Sequence, residues 1–592
     1  MKNKSLKLSL LLGAAGCFAL IPTYCSAQFE ANSLQKPALL SRVDYPSGVS
    51  SSEAGETAAT ESSSSVPMLG IGSAGGSMQT ATPAVPATPT VDTVTPFADG
   101  DWTWLNGNPR TRDCPLCSKY FTPEIRVDTN YNLDFNHPAD DTISGSSEVF
   151  RSQEVQVEQI GIGGDLLIDN VHMRLMTQFG EYSVTTPRND GSVGRGQWNL
   201  DDAYRYIAEG YGGYHWNKMH GINLDAGIFM SYVGLFSYYN FDNWAYQPSF
   251  VSSNTPWFFN GVRGQFFVTQ HLKIEPWFIN GWQSYARYNS KPGLGGQIKW
   301  TPRGKMNVIS NNYGFGEDDA GISGRTRIHT DNSFEFKTWN KAKTGAFNAF
   351  SVTFDLGCES GSGVACHGSK GHKVFVPGSG TYGHAGYVAP VLYQKQSFLG
   401  WMVYNRTVFD KAKYGLTFGG GYVNNPGRYL VLLPPINGAT AVTQSAYFPE
   451  NPGEPYHGED GTVTWDYMPS QYITFRTEYG YRHSDVPYWA GRGGSTPPGG
   501  ATNSSVGSPA DFTCLSPSGT AFDSGVGYTG SPGMNYNAEY AGQISNAKSV
   551  CFNGGYGPTG SIGTAGPIRS TLWQPDMRHD EQKVIFAILV KW

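Results

Sequence analysis

Arg327, His329, Asp331, Ser333, Glu335 and Lys337 occupy every second position of one stretch, with Ile328, Thr330, Phe334 and Phe336 between them. Thr474, Arg476, Glu478 and Arg482 repeat the arrangement against Ile473, Phe475, Tyr479 and Tyr481, and Lys273 and Glu275 share a polar face upstream. A period of two is a strand's period, so each set stands on one face of a strand. Charges of both signs on the inner face of a closed sheet would set a field across a water-filled passage and sort solutes by charge. The chemistry expected of these residues is selection rather than bond making. Asp128 and Arg174, on the polar faces of two earlier strands, join Lys273, Glu275, Arg327, Asp331, Glu335, Arg476, Glu478 and Arg482 as the candidate lining.

The segment Tyr232 to Phe258 carries ten aromatic residues and one charge, Asp242. So apolar a connection is not expected to stay in water. It is expected to pack inside the barrel mouth, narrowing it through Tyr239, Asp242, Trp244 and Tyr246, or against a partner subunit. Signals of catalysis are missing. The chain has no GxSxG elbow, HExxH pair or phosphate loop. Gly555 to Gly560 matches GxGxxG but sits in a glycine-rich loop, without the strand and helix that a dinucleotide site requires. Cys366, His367 and His372 come from one loop, which rarely supplies a full metal-ligand set. No catalytic residue, metal or cofactor is expected.

Sixteen strands are expected to position these side chains, near 121–135, 153–168, 171–182, 202–216, 221–231, 259–269, 272–283, 295–302, 306–314, 327–338, 347–356, 397–409, 412–424, 462–468, 471–482 and 582–592. The first shows the pattern plainly, with Ile125, Val127, Tyr131, Leu133 and Phe135 alternating with Arg126, Asp128, Asn130, Asn132 and Asp134. Short links such as Asp169-Asn170, Gln270-His271 and Asp410-Lys411 alternate with long ones at 183–201, 232–258, 357–396, 425–461 and 483–581. That rhythm predicts an all-β fold: a transmembrane, antiparallel, up-and-down barrel of about 16 strands (range 14–18), with short periplasmic turns and long external loops. Composition agrees. Aromatics make up 14% of the chain, glycines number 74 and charged residues are only 15%. An acidic balance, net −6, argues against nucleic acid as a partner and for a mild cation preference.

The N-terminus reads as a secretory signal, residues 1–27, with Lys2, Lys4 and Lys7 before an apolar run and Ala27 at the cleavage point. Residues 28–96 are rich in Ser, Thr, Pro and Ala, a composition that cannot bury a core, and are expected to form a disordered linker. A periplasmic lead-in, 97–120, precedes the barrel at 121–592. Six cysteines remain after the signal, and Cys114 with Cys117, Cys358 with Cys366, and Cys514 with Cys551 are disulfide candidates. In the closing stretch Val584 to Trp592, Val584, Phe586, Ile588, Val590 and Trp592 share one face that suits lipid. The opposite face, Ile585, Ala587 and Leu589, is equally apolar and is expected to pack beneath the lead-in or the linker near the periplasmic end.

Several stretches resemble the OmpL-like family of outer-membrane β-barrel porins: GDWTWLNGNPRT, KYFTPEIRVDTNY, GQWNLDDAYRYI, DAGIFMSYVGLFSYYNFDNWAYQPSFVSSNTPWFFNGVR, KIEPWFINGWQSY, RIHTDNS, NNPGRYLVLLPPINGAT, MPSQYITFRTEYGYRHSDVPYWAGRGG and VIFAILVKW. The resemblance implies a bacterial outer-membrane porin, exported by a Sec-type route, for passive transport of small hydrophilic solutes. Its expected partners are outer-membrane lipid, those solutes and the barrel-assembly machinery, with a homotrimer as the assembly common among sixteen-strand porins. In outer-membrane barrels a last strand ending in an aromatic directs assembly, which would make Phe586 and Trp592 the assembly residues. In general porins the third external loop is the constriction, the ordinal place of Tyr232 to Phe258, although this loop lacks their acidic cluster. A structural or adhesive barrel working through its external loops is the alternative, and an outer-membrane barrel hydrolase a further one.

Overall fold

In the computed structural model, residues 115–592 are described with gaps, the longest at 430–455, 495–512 and 524–576. Sixteen strands close into one antiparallel barrel in which sequence neighbours are spatial neighbours. They are β1 (Phe121–Asp134), β2 (Val155–Ile168), β3 (Val171–Thr177), β4 (Ile207–Trp216), β5 (Ile222–Met230), β6 (Phe258–Thr269), β7 (Leu272–Ile279) and β8 (Gly293–Arg303). The second half comprises β9 (Met306–Gly316), β10 (Thr326–Lys341), β11 (Ala346–Ser360), β12 (Ser397–Phe409), β13 (Tyr414–Asn424), β14 (His457–Ser470), β15 (Ile473–Ser484) and β16 (Asp580–Lys591).

Closure comes from β16 lying against β1, in register from Arg126 opposite Lys591 to Asp134 opposite Lys583. Beyond the ladder, the Trp592 N–H donates to the Ile125 carbonyl (2.9 Å) and the Ile125 N–H to the Trp592 carbonyl (3.0 Å). With β16 also paired to β15, the sheet has no free edge, as a strand crossing hydrocarbon requires. The tight turns are built by residues that tolerate left-handed backbone. Asp169 and Asn170 have φ of 49° and 69°, the two positive values of a type I′ hairpin.

Alternation decides which face meets lipid. Ile162, Leu224, Phe278, Ile298, Phe354, Leu399, Phe418 and Ile588 are exposed on the outer surface. Trp216, Trp300 and Trp465 stand outward near the short-turn end, where a barrel carries an aromatic girdle. Several strands differ from expectation in length: β4 begins at Ile207, since Leu200–Tyr204 is helical, β7 ends at Ile279, and β11 runs on to Ser360. β3 stops at Thr177, and Tyr182–Thr185 forms a single helical turn instead. β14 begins at His457, earlier than its apolar alternation reveals, because His457, Glu459 and Asp460 carry no strand-like pattern. Cys358 and Cys366 are joined by a disulfide at the external end of β11. Cys117 is also disulfide-bonded. Cys114, Cys551 and the side chain of Cys514 lie outside the described residues.

Candidate functional site

The apolar core of this molecule lies in the lumen of the barrel and is organised by the third external loop, residues 231–257. Tyr232, Leu235, Phe236, Tyr238, Tyr239, Phe241, Trp244 and Tyr246 are all buried. Loops on a protein surface are ordinarily exposed, and burial at this level requires that both the rings and the backbone polar groups find partners. The rings do so in three clusters. Tyr232 and Phe250 pack with the wall residues Phe229, Phe259, Trp277 and Tyr313 and with Tyr429, Tyr456, Tyr488 and Trp489 of later loops. Phe236, Tyr239 and Trp244 pack with Met176, Ile309, Met402 and Tyr404. Phe241 and Tyr246 pack with Ile143 and Val149 of the first external loop and with Ile585, Ala587 and Leu589 of β16. The inner face of β16, expected to pack beneath the lead-in or the linker, is apolar because it seats two loops that enter from the external side; the linker and residues 97–114 lie outside the described residues.

The backbone of the loop is held by charges on the barrel wall. Arg476 donates to the carbonyls of Asn240 (3.0 Å) and Asn243 (2.8 Å), and Arg406 to that of Trp244 (3.1 Å). Both guanidiniums also contact Asp466, which accepts from Arg476 Nε at 2.6 Å and from Arg406 at 2.7 Å. Glu478 accepts the main-chain N–H groups of Tyr246 (2.6 Å) and Gln247 (2.9 Å), and Asp460 accepts that of Phe250 (2.9 Å). Arg482 reaches the carbonyls of Gly145 (2.6 Å) and Pro248 (2.9 Å). Cationic side chains meet carbonyls and anionic side chains meet N–H groups, so the ties are charge-assisted at both ends.

All ten candidate lining residues face inward and are buried. Asp128 accepts from Tyr246 Oη (2.8 Å) and Asn240 Nδ2 (2.9 Å). Arg174 contacts Glu209 (2.5 Å), Asp165 (3.0 Å) and Glu124 (3.1 Å). Lys273 pairs with Glu275 (2.7 Å), Arg327 with Glu359 (2.8 Å), Asp331 with Asn311 (2.8 Å) and Glu335 with Asn307 (3.0 Å). Of the loop residues singled out, Asp242 pairs with Arg126 (2.7 Å) and Lys591 (3.3 Å), and Tyr239 donates to Glu209 (2.7 Å) beneath the Arg126 guanidinium. Phe586 and Trp592 face outward, half exposed.

Residues outside the candidate lining complete the network: Glu124, Arg126, His172, Glu209, Asp225, Arg263, Arg406, Asp460 and Asp466. His172 meets Asp225, which also accepts from Arg263 (3.1 Å). These partners belong to different strands, and only the register brings them together. A polar residue at an inward position was the available signal, but not its pairing.

Beneath the loop, toward the short turns, lies a cavity of about 960 Å³. Its ceiling is Phe241–Trp244, and its walls include Arg406, Arg476 and Lys337. At the other end, outside the strands, Glu181 is raised to about 7 by burial and by the neighbouring Glu154 carboxylate, against the lowering effect of Arg151. Burial likewise raises Asp201 to about 6 despite its ion pair with Arg205 (2.5 Å).

The family described as "Putative beta-barrel porin-2, OmpL-like" matches residues 124–508. Among solved structures, the chain is similar to OmpT of Vibrio cholerae (8% identity, TM-score 0.38, covering 81% of this chain and 99% of that one). It is also similar to OprB of Pseudomonas putida (9%, 0.37, 80% and 94%) and to the outer membrane channel DcaP of Acinetobacter baumannii (10%, 0.35, 80% and 96%). Comparison with curated proteins finds no match.

Proposed function

The chain belongs to the OmpL-like beta-barrel porin-2 family, and from that premise we propose that this outer-membrane porin is a passive channel for small hydrophilic solutes. The observation that carries the reading is the third loop, bound inside a closed sixteen-strand barrel above a cavity bordered by both charged and apolar side chains and by short-turn residues. A barrel of this strand number encloses more space than its own wall side chains fill, so an inward loop sets the width of whatever passage is left. The wall charges hold that loop in place and give the passage its electrostatic character. Purified protein in planar bilayers tests the reading, together with liposome swelling in sugars and amino acids of graded size. Stepwise conductance and a size cut-off are expected. Absence of current above background overturns it.

The density of the three aromatic clusters favours a second reading, a structural or adhesive barrel whose lumen is closed. It predicts silent bilayers and unchanged solute uptake in a deletion strain.

A further inference from the structure

We propose that the cavity beneath the third loop is a binding site for small multivalent anions, carboxylates or phosphates, and that it gives the channel an anion preference despite the acidic balance of the chain. The preference rests on the channel reading above; the site itself does not. Five cationic side chains border the cavity from different elements: Lys337 at the lower end of β10, Lys343 in the β10–β11 turn, Lys411 in the β12–β13 turn, Arg406 on β12 and Arg476 on β15. Lys413 borders it as well but places its ammonium over the outer rings of Tyr414 and Tyr467, at 5.5 Å from each. The acids nearby are Asp242, Asp410 and Asp466, together with Glu335, which acts on Lys337, and Glu478 and Asp128, which act on Arg476. Asp466 is shared by both arginines, so that triad keeps one positive charge, and Asp242 is already held by Arg126 and Lys591.

The bias holds for the short turns taken together, with lysines in four of the seven. Lys218, Lys305, Lys343, Lys411 and Lys413 lie in the turns between strands, against Asp169 and Asp410, although the full chain carries net −6. A concave site with low-dielectric walls and one sign of charge focuses the field and concentrates counter-ions. The arginines spend donors on loop carbonyls and on Asp466, which leaves the flexible lysines Lys343 and Lys411, both exposed to the cavity, to follow a small anion as point charges. Such an attraction is screened by salt, so it should be strongest at low ionic strength.

The test uses the full chain, folded and heat-modifiable on gels, and a Lys337→Glu/Lys343→Glu/Lys411→Glu variant verified in the same way. Lys343→Glu/Lys411→Glu is a second variant confined to exposed turn positions. Zero-current potentials are read in bilayers under a KCl gradient, and binding of inorganic pyrophosphate to the detergent-solubilised protein is read by calorimetry at low salt. The expected result is chloride favoured over potassium on the order of threefold, reversing in the triple variant, with pyrophosphate binding weakened about tenfold. Cation preference in the unaltered protein, or a potential that the variants do not move, overturns the anion preference. If no current appears at all, the channel reading falls with the preference, and calorimetry alone decides the site: binding lost in both variants supports it, and no binding to the unaltered protein overturns it.

Discussion

At the scale of single residues, the inward charges act first as fasteners. Arg476 satisfies two loop carbonyls and donates to both carboxylate oxygens of Asp466, all within a buried environment. Without Arg476, Asp466 would keep Arg406 as its partner, but the two buried carbonyls would lose theirs, at about 1–3 kcal/mol each. Arg476→Leu is therefore expected to destabilise the loop by about 2–5 kcal/mol, a cost measured as earlier proteolysis within residues 231–257, with the barrel's gel migration little changed. Space is as restrictive as charge. A Cβ on Gly295 would stand 1.8 Å from the Tyr232 hydroxyl, which donates to the Asn312 carbonyl (2.8 Å). Gly295→Val should push Tyr232 out and raise the noise of single-channel currents. Glu181 supplies a pH dependence. Its folded value, about 7, lies above its ordinary one near 4.5, because burial and Glu154 disfavour the carboxylate more than Arg151 favours it. The folded segment binds the extra proton between those values, so its stability is full below about 4.5 and falls as pH rises through about 7. Hydrogen exchange at Val184 and Thr185, whose N–H groups close the single helical turn, should accelerate between pH 5 and pH 8 beyond the intrinsic rate. A Glu181→Gln variant should remove the difference.

Elements divide into those legible in the sequence and those that are not. The strands were legible because lipid on one side and polar contacts on the other impose a strict period of two, as in β1, β10 and β15. The tight turns were legible from residues such as Asp169 and Asn170, which accept positive φ. Burial of the third loop followed from ten aromatics with one charge, but whether it would enter the barrel mouth or cover a partner did not. The helical turn Tyr182–Thr185 did not follow, since four residues cannot form a helix unaided and this one rests on packing of Tyr182 against Phe150 and Tyr238. The triad Arg406–Asp466–Arg476 was equally hidden, because its members meet only through strand register and two of them escaped notice. The split makes a prediction at this scale. The loop is fastened to the sheet, but the sheet's ladder does not pass through the loop. Replacing residues 238–247 by a short Gly/Ser linker should leave a folded barrel and increase single-channel conductance several-fold. An unchanged conductance would show that the loop does not set the width.

For the whole molecule the controlling fact is that every barrel strand has two paired neighbours. The strand bearing Ile585, Ala587 and Leu589 serves three roles at once: it closes the ladder against β1 and β15, presents Phe586 and Ile588 to lipid, and seats Phe241 and Tyr246 of the third loop. Its two apolar faces, puzzling for a strand that borders a polar lumen, are what those roles require. Loss of this one strand would therefore expose two edges, and in hydrocarbon each unpaired main-chain group costs several kcal/mol. The intact protein should migrate faster unheated than boiled on a denaturing gel, the behaviour of a closed barrel that resists detergent. A variant lacking residues 580–592 should lose the fast band altogether, whereas the loop-replaced variant should keep it. If the truncated chain still gave the fast band, the seam between β1 and β16 would not be what closes the barrel.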